Sequence, residues 1–263
     1  MNSLIIGQYV PKESIIHQLD SRLKISIVFI YVIILFAAET SLNYLLFFIL
    51  SILCMSLTQI KLSFIIKGLK PVWFLIVITF VLHIILTREG DIWFDIFGFP
   101  VYKEAIIKGF EIALRFFLLI LMTTLLTLTT SPIAITDAVE ELLSPLKKVN
   151  VPVHELALTM SISLRFIPTL IQEVDKISKA QASRGLDFRT GKMKDRVQAI
   201  IPLILPLFIS AFKRAEELAF AMEARGYRGG EGRTKYRELR FKNADYIAGL
   251  SFILFLVGFI ITR

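Results

Sequence analysis

Long uncharged stretches separated by short polar breaks dominate the first half of this chain. Between Ile25 and Leu57 the only charged residue is Glu39, and 72–86, 116–135 and 246–262 carry none. Runs of that length and purity predict membrane-spanning helices. We read five of them, Ile25–Ala38, Leu42–Leu57, Pro71–Thr87, Ala105–Thr130 and Tyr246–Thr262. A bilayer core of about 30 Å wants about 20 helical residues. The first two are short by that measure, so they thin the bilayer, sit partly at the interface or run past these bounds. The polar turn between them is 39–43.

Residues 136–242 hold most of the charge, and there the apolar positions recur at threes and fours, the helical period. A first helix is expected from about Asp137 to Lys147, with Asp137 and Glu140 in a capping arrangement and Pro145 near its end. A second starts at Pro152, a favoured first-turn proline, and continues to Arg184. A third runs from about Lys194 to Arg225, its apolar stripe including Ala211, Ala215, Leu218 and Met222. At 1.5 Å per residue the last two are each about 45–50 Å long. Leu156–Leu164 and Val197–Phe212 are uncharged and the charges gather toward the arginine ends, so each helix is expected to begin against lipid or spanning helices and to end in the cytoplasm. Leu164, Ile167, Pro168, Ile171, Pro202, Ile204, Pro206 and Phe208 are the candidate packing positions, the prolines bending the helices. The expected architecture is an all-α membrane protein: a membrane domain at 1–131, a cytoplasmic coupling domain at 132–242 and a C-terminal transmembrane helix at 243–263.

Composition agrees with this. The chain has 263 residues, 55% hydrophobic, with mean hydropathy +0.68, above the 45–50% apolar content of roughly average soluble domains. Lys12, Arg22 and Lys24 precede the first span, and Lys61, Lys67 and Lys70 follow the second. The positive-inside rule therefore places the N-terminus and the basic segment in the cytoplasm and Arg263 outside. The net charge of +8 becomes a membrane-surface property, with no nucleic acid required. The mixed polar start is not read as a signal peptide. Cys54 falls in a span, and His17, His83 and His154 lie far apart, so neither a disulfide framework nor a metal site is expected.

Candidate chemistry concentrates at two helix ends, Ser183-Arg184-Gly185 and Ala224-Arg225-Gly226. Aligned on their arginines they also match Ala180 with Ala221 and Asp175 with Glu216. A lone Arg-Gly end is a helix cap with a favourable dipole contact of about 0.3–1 kcal/mol. Two of them, on long helices leaving a membrane, suggest plugs for two sockets, because arginine's planar fork bonds carboxylates or carbonyls bidentately. The segment 185–193 superficially resembles a phosphate-binding loop. It has one residue too many between its glycines, and Met193 stands where Ser or Thr should hold magnesium. ATP hydrolysis by this chain is therefore not expected. Glu111 and Arg115, four apart, read as an intrahelical ion pair. A self-contained channel or secondary permease with a basic regulatory domain is the alternative, weakened by the absence of paired intramembrane ionisable groups.

Several of these segments together resemble the transmembrane T component of energy-coupling factor (ECF) transporters. They are Gly7-Gln8-Tyr9-Val10-Pro11, 19–24, Leu164-Arg165-Phe166-Ile167-Pro168, 214–219 and the two arginine tips, where Ser183 departs from the family's alanine. The resemblance covers essentially the whole chain. It implies a non-catalytic scaffold without a cofactor of its own, ATP and magnesium being used by partner subunits. It implies two cytoplasmic ABC ATPase subunits, read as a heterodimer from the Ser183/Ala224 asymmetry, whose grooves receive the tips. It also implies a membrane S component that captures a vitamin or metal ion, and residence in a prokaryotic cell membrane.

Overall fold

The computed structural model describes residues 9–96, 99–185, 193–229 and 239–262. Its elements are α1 (Ile15–Gln18), α2 (Ser21–Phe36), α3 (Ser41–Thr58), α4 (Leu62–Leu86), β1 (Ile92–Ile96), β2 (Phe99–Tyr102), α5 (Lys103–Thr129), α6 (Pro132–Leu142), a 3-10 segment Ser144–Val149, α7 (Val153–Ser183), α8 (Met193–Ala224) and α9 (Asn243–Thr262). They form two compact units. One comprises Met1–Leu142 with Glu238–Arg263, the other Leu143–Arg237.

Among the described residues, α3, α5 and α9 are long and apolar enough to cross a membrane, and α4 joins them if its two bent halves count as one span. Of the expected five, the first is thus the short one: α2 has 16 residues, about 24 Å of helix. α4 differs more. It begins at Leu62 and bends by 59° between Lys70 and Val72. Pro71 therefore lies inside the helix, where its missing N–H goes with a kink rather than a start. Near the bend Gly68 lets α4 approach α5, since a Cβ there would meet Thr124 Cγ2 at 2.9 Å. The stretch after α4 is not a plain loop. β1 and β2 pair antiparallel, Ile92 opposite Tyr102 and Asp95 opposite Pro100, as aromatic and β-branched residues favour.

The core of the membrane unit is aromatic and aliphatic. Tyr31, Leu35, Phe47, Leu118 and Leu121 are almost fully buried, and Phe47 makes edge contacts with Tyr31, Phe255 and Phe259 at 5.0, 5.1 and 5.7 Å. Several of the polar groups inside are bonded to one another, as a low-dielectric interior favours. Tyr31 Oη lies 2.8 Å from Ser51 Oγ, and the Thr262 hydroxyl donates to Asn43 Oδ1 at 2.6 Å. Outward faces are apolar instead: Phe74, Leu254 and Ile261 are three-quarters exposed, a surface that only lipid or a membrane partner covers at low cost.

Two helix starts are tied together at one end of this unit. Asp20 caps α2 by accepting the Arg22 N–H at 2.8 Å, the usual role of an N-cap carboxylate. Asp245, in the first turn of α9, accepts the Lys242 N–H at 2.7 Å with one oxygen and the Asp20 N–H at 2.7 Å with the other. Arg22 completes the knot with an ion pair to Asp20, a hydrogen bond to Leu239 O at 2.9 Å and a stack 4.4 Å above the Phe241 ring. Burial alone would raise the Asp20 pKa. The Arg22 side-chain and backbone hydrogen bonds and the nearby positive charges outweigh it, and the carboxyl is held below its ordinary value.

The first helix after the spans also starts earlier than expected. α6 begins at Pro132, with Ser131 Oγ accepting the Ala134 N–H at 3.3 Å, so serine before proline is the start signal, not Asp137. α6 ends at Leu142 and packs on α2. The compact unit that holds the spans therefore includes 132–142.

Candidate partner-docking site

The coupling unit is built on α7 and α8, whose bounds lie close to those expected. α7 follows Pro152, and α8 runs from Met193 to Ala224. Each ends in a turn through a left-handed glycine, Gly185 at φ +85° and Gly226 at φ +74°. At the second tip the Tyr227 N–H reaches Met222 O at 3.0 Å and the Gly226 N–H reaches Glu223 O at 2.8 Å, the paired bonds of a Schellman cap. At the first, the Gly185 N–H donates to Ala182 O at 3.0 Å and the Arg184 N–H to Gln181 O at 3.0 Å. These bonds satisfy several of the last carbonyls of each helix within the chain.

Ser183, Arg184, Gly185, Ala224, Arg225 and Gly226 are all exposed. Among the described residues neither arginine side chain has a hydrogen-bond or ion-pair partner. A Cβ added at either glycine would meet nothing within 4 Å. The tips are therefore open, with backbone fixed and guanidinium groups uncommitted.

α7 and α8 run antiparallel. Glu173 on α7 accepts hydrogen bonds from Ser210 at 2.9 Å and Arg214 at 2.6 Å on α8, while Gln181 reaches Pro202 O at 3.4 Å, in the reverse order along α8. The last contact has a local cause. Pro206 has no N–H for the carbonyl four residues earlier, which leaves Pro202 O free for Gln181. Since the helices are antiparallel, their C-terminal tips lie at opposite ends of the pair, about 35 Å apart along it at helical rise.

The seam between the helices is narrower than the expected packing set. Ile162, Phe166, Leu170, Ala211, Ala215 and Leu218 line one small cavity there of about 250 Å³. Of the expected residues, Ile167, Pro168, Ile171, Ile204, Pro206 and Phe208 are exposed, and Leu164 and Pro202 only half-buried. A helix this amphipathic presents more apolar surface than one neighbour covers. The exposed residues belong to a wide outward apolar surface that also carries Ile201, Ile209 and Phe212. Sequence reading missed Glu173 and Ser210 as the link between the helices. One signal was available: Glu173 and Arg214 are oppositely charged and stand at matching offsets before Arg184 and Arg225. The Asp175/Glu216 echo has no such role, Asp175 being 4.0 Å from Lys179 on its own helix and Glu216 exposed.

The expected Glu111–Arg115 ion pair is corrected by the structure. Among the described residues Arg115 Nη2 donates instead to Ala38 O at 2.9 Å and to Tyr44 Oη. The Ala38 carbonyl, two residues past the end of α2, also accepts the Tyr44 hydroxyl at 3.2 Å, so Arg115 joins a fixed acceptor pair at the negative end of that helix.

Residues 12–236 match the cobalt transport protein family, CbiQ. Three relatives align over nearly their whole length, and each is described as an energy-coupling factor transporter transmembrane protein, EcfT. That of Bacillus subtilis (strain 168) is 57% identical over 97% of this chain and 96% of the relative. That of Listeria innocua serovar 6a is 50% identical over 93% and 92%, and that of Macrococcus caseolyticus 47% over 96% of both. With the apolar helices and the paired arginine tips in place, this chain belongs to the CbiQ family, that of the transmembrane T component of ECF transporters.

Proposed function

We propose that this transmembrane component is the coupling scaffold of an ATP-driven importer. In this reading Arg184 and Arg225 plug into grooves on two cytoplasmic ABC ATPase subunits, which use the ATP and magnesium. The apolar outward surface of α7 and α8 meets a membrane S component that captures a vitamin or metal ion. The observation that carries the reading is the pair of exposed arginines held on glycine-turned caps at opposite ends of one antiparallel helix pair. A single socket could not take both, so the arrangement suits two separate subunits. Ser183 against Ala224 makes the two tips chemically unequal, which suits a heterodimer. Each guanidinium, once desolvated in a groove, is worth about 2 kcal/mol or more. Movement of the grooves then passes through α7 and α8 to the S component. The scaffold itself performs no chemistry. The same reading places the complex in a prokaryotic cell membrane with α7 and α8 on the cytoplasmic side.

The test is the double variant Arg184→Ala plus Arg225→Ala, co-expressed with the ATPase and S-component genes. The ATPases are lost on affinity purification while the variant remains membrane-inserted and monodisperse. Undiminished co-purification together with wild-type uptake would overturn the docking role. Arg→Lys at either tip retains charge but loses the fork, and uptake falls in both lysine variants.

A further inference from the structure

One cavity of the membrane unit lies outside everything assigned to coupling. It is a polar cleft of about 610 Å³ between the C-terminal end of α4 and the first half of α5, lined by His83, Arg88, Glu89, Lys108, Glu111 and Arg115 among others. Its size falls in the range of roughly 300–1,000 Å³ usual for ligand sites. We propose that this cleft binds the headgroup of a membrane phospholipid, with its phosphate on Arg115 and Arg88 and, where the headgroup carries an amine, its ammonium on Glu111.

Charge and hydrogen bonding support this choice. Glu89 and Lys108 neutralise each other at 2.6 Å, leaving two guanidinium groups facing the single carboxylate of Glu111 in the cleft. Arg115 is held in place by its bonds to Ala38 O and Tyr44 Oη and by the flanking Phe36 and Tyr44 rings at 5.9 and 5.7 Å. Those bonds use only Nη2. Arg115 Nε is buried without a partner, so the guanidinium lining the cleft is a positioned cation whose donors are not all used, which favours an anion there. Among the described residues Arg88 has no ion pair or hydrogen bond of its own and stands at the mouth.

Amphiphile rather than free anion follows from the other wall. Leu82, Leu86 and Ile112 line the same cleft, and Leu82 and Leu86 are 45% and 72% exposed. An acyl chain leaving the cleft would run along them, whereas inorganic phosphate would leave that surface bare. A cation near the end of a spanning helix also sits at the depth of lipid headgroups.

The experiment uses the full-length chain in dodecyl maltoside and follows its thermal unfolding midpoint. Dihexanoyl-phosphatidylethanolamine, inorganic phosphate and dihexanoylglycerol are titrated in parallel. The phospholipid raises the midpoint saturably, and the other two do not. Arg88→Gln leaves the lipid-free midpoint unchanged and raises the half-saturating lipid concentration roughly fivefold. Arg115→Lys, which keeps the charge but not the fork, shifts it in the same direction. Glu111→Gln weakens the response to phosphatidylethanolamine and spares that to phosphatidylglycerol. An equal response to free phosphate overturns the lipid assignment, and an equal response to the uncharged glycerolipid reduces the site to acyl filling. Unchanged half-saturation in both arginine variants removes the site altogether.

Discussion

Replacing Asp245 tests whether the knot between α2 and α9 holds the end of the bundle closed. Asp245 is 3% exposed, and its carboxylate accepts two backbone N–H groups, those of Asp20 and Lys242, at 2.7 Å each. Asp245→Ala strands both donors. A buried donor left unsatisfied costs about 1–3 kcal/mol. Asp20 is buried and bears the larger share, about 2 kcal/mol, while exposed Lys242 turns to water and loses about 1 kcal/mol. The sum is about 3 kcal/mol. Asp245→Asn keeps one acceptor oxygen and loses about 1 kcal/mol. The single cysteine reads this out. Cys54 is partly buried on α3 and lines an apolar cavity together with Ala244, Ile247, Ala248 and Ser251 of α9. When α9 lifts, the thiol becomes open to a membrane-permeant maleimide. If labelling proceeds through that opening, 3 kcal/mol accelerates it by roughly a hundredfold for Asp245→Ala and about fivefold for Asp245→Asn. Equal rates in the wild type and the alanine variant, or an asparagine variant as fast as alanine, would refute the reasoning.

Further outcomes follow from the same geometry. Gly185→Ala and Gly226→Ala meet no steric obstacle but must hold φ near +85° and +74°, so each loses about 1 kcal/mol locally, seen as faster hydrogen exchange in the last turns of α7 and α8. Glu173→Ala and Arg214→Ala each cost about 1 kcal/mol, discounted because the side chains are 23% and 34% exposed; a double-mutant cycle returns a coupling of that size, and none means the link is ornamental. Because the folded Asp20 carboxyl is depressed, its contribution is present above its ordinary pKa of about 4 and lost as pH falls through the lower folded value; Asp20→Asn flattens the thermal midpoint in that acid range. His17 is also lowered, chiefly by burial, and its neutral ring donates from Nε2 to Val10 O at 3.1 Å. Its contribution is therefore complete above about pH 6.5 and declines as pH falls through the folded value, a slope that His17→Gln abolishes.

Features that depend on neighbours along the chain were legible. α3, α5 and α9 announce themselves through unbroken apolar runs, and both tips through arginine before glycine, because capping is a local transaction. Features set by distant partners were not. Pro71 read as a helix start because nothing in its neighbourhood shows that Gly68 lets α4 continue against α5. Arg115 read as the partner of Glu111 because four-residue spacing is visible and the carbonyl of Ala38, 77 residues away in sequence, is not. The antiparallel order of α7 and α8 rests on Glu173 reaching Arg214, a contact no periodicity reports. The outward apolar residues near Pro206 were assigned to packing because a stripe shows that a surface must be covered, without saying by what.

The Glu173–Arg214 contact has a mechanical consequence. Arg184 and Arg225 each stand about eleven residues beyond it, giving arms of roughly 16 Å on either side. Equal and opposite pushes on the two arms cancel as translation and survive as torque about that contact. Such a beam is insensitive to forces that displace both ends alike and responsive to their difference, so shortening one arm by a helical turn would unbalance it without removing a single contact at its fulcrum.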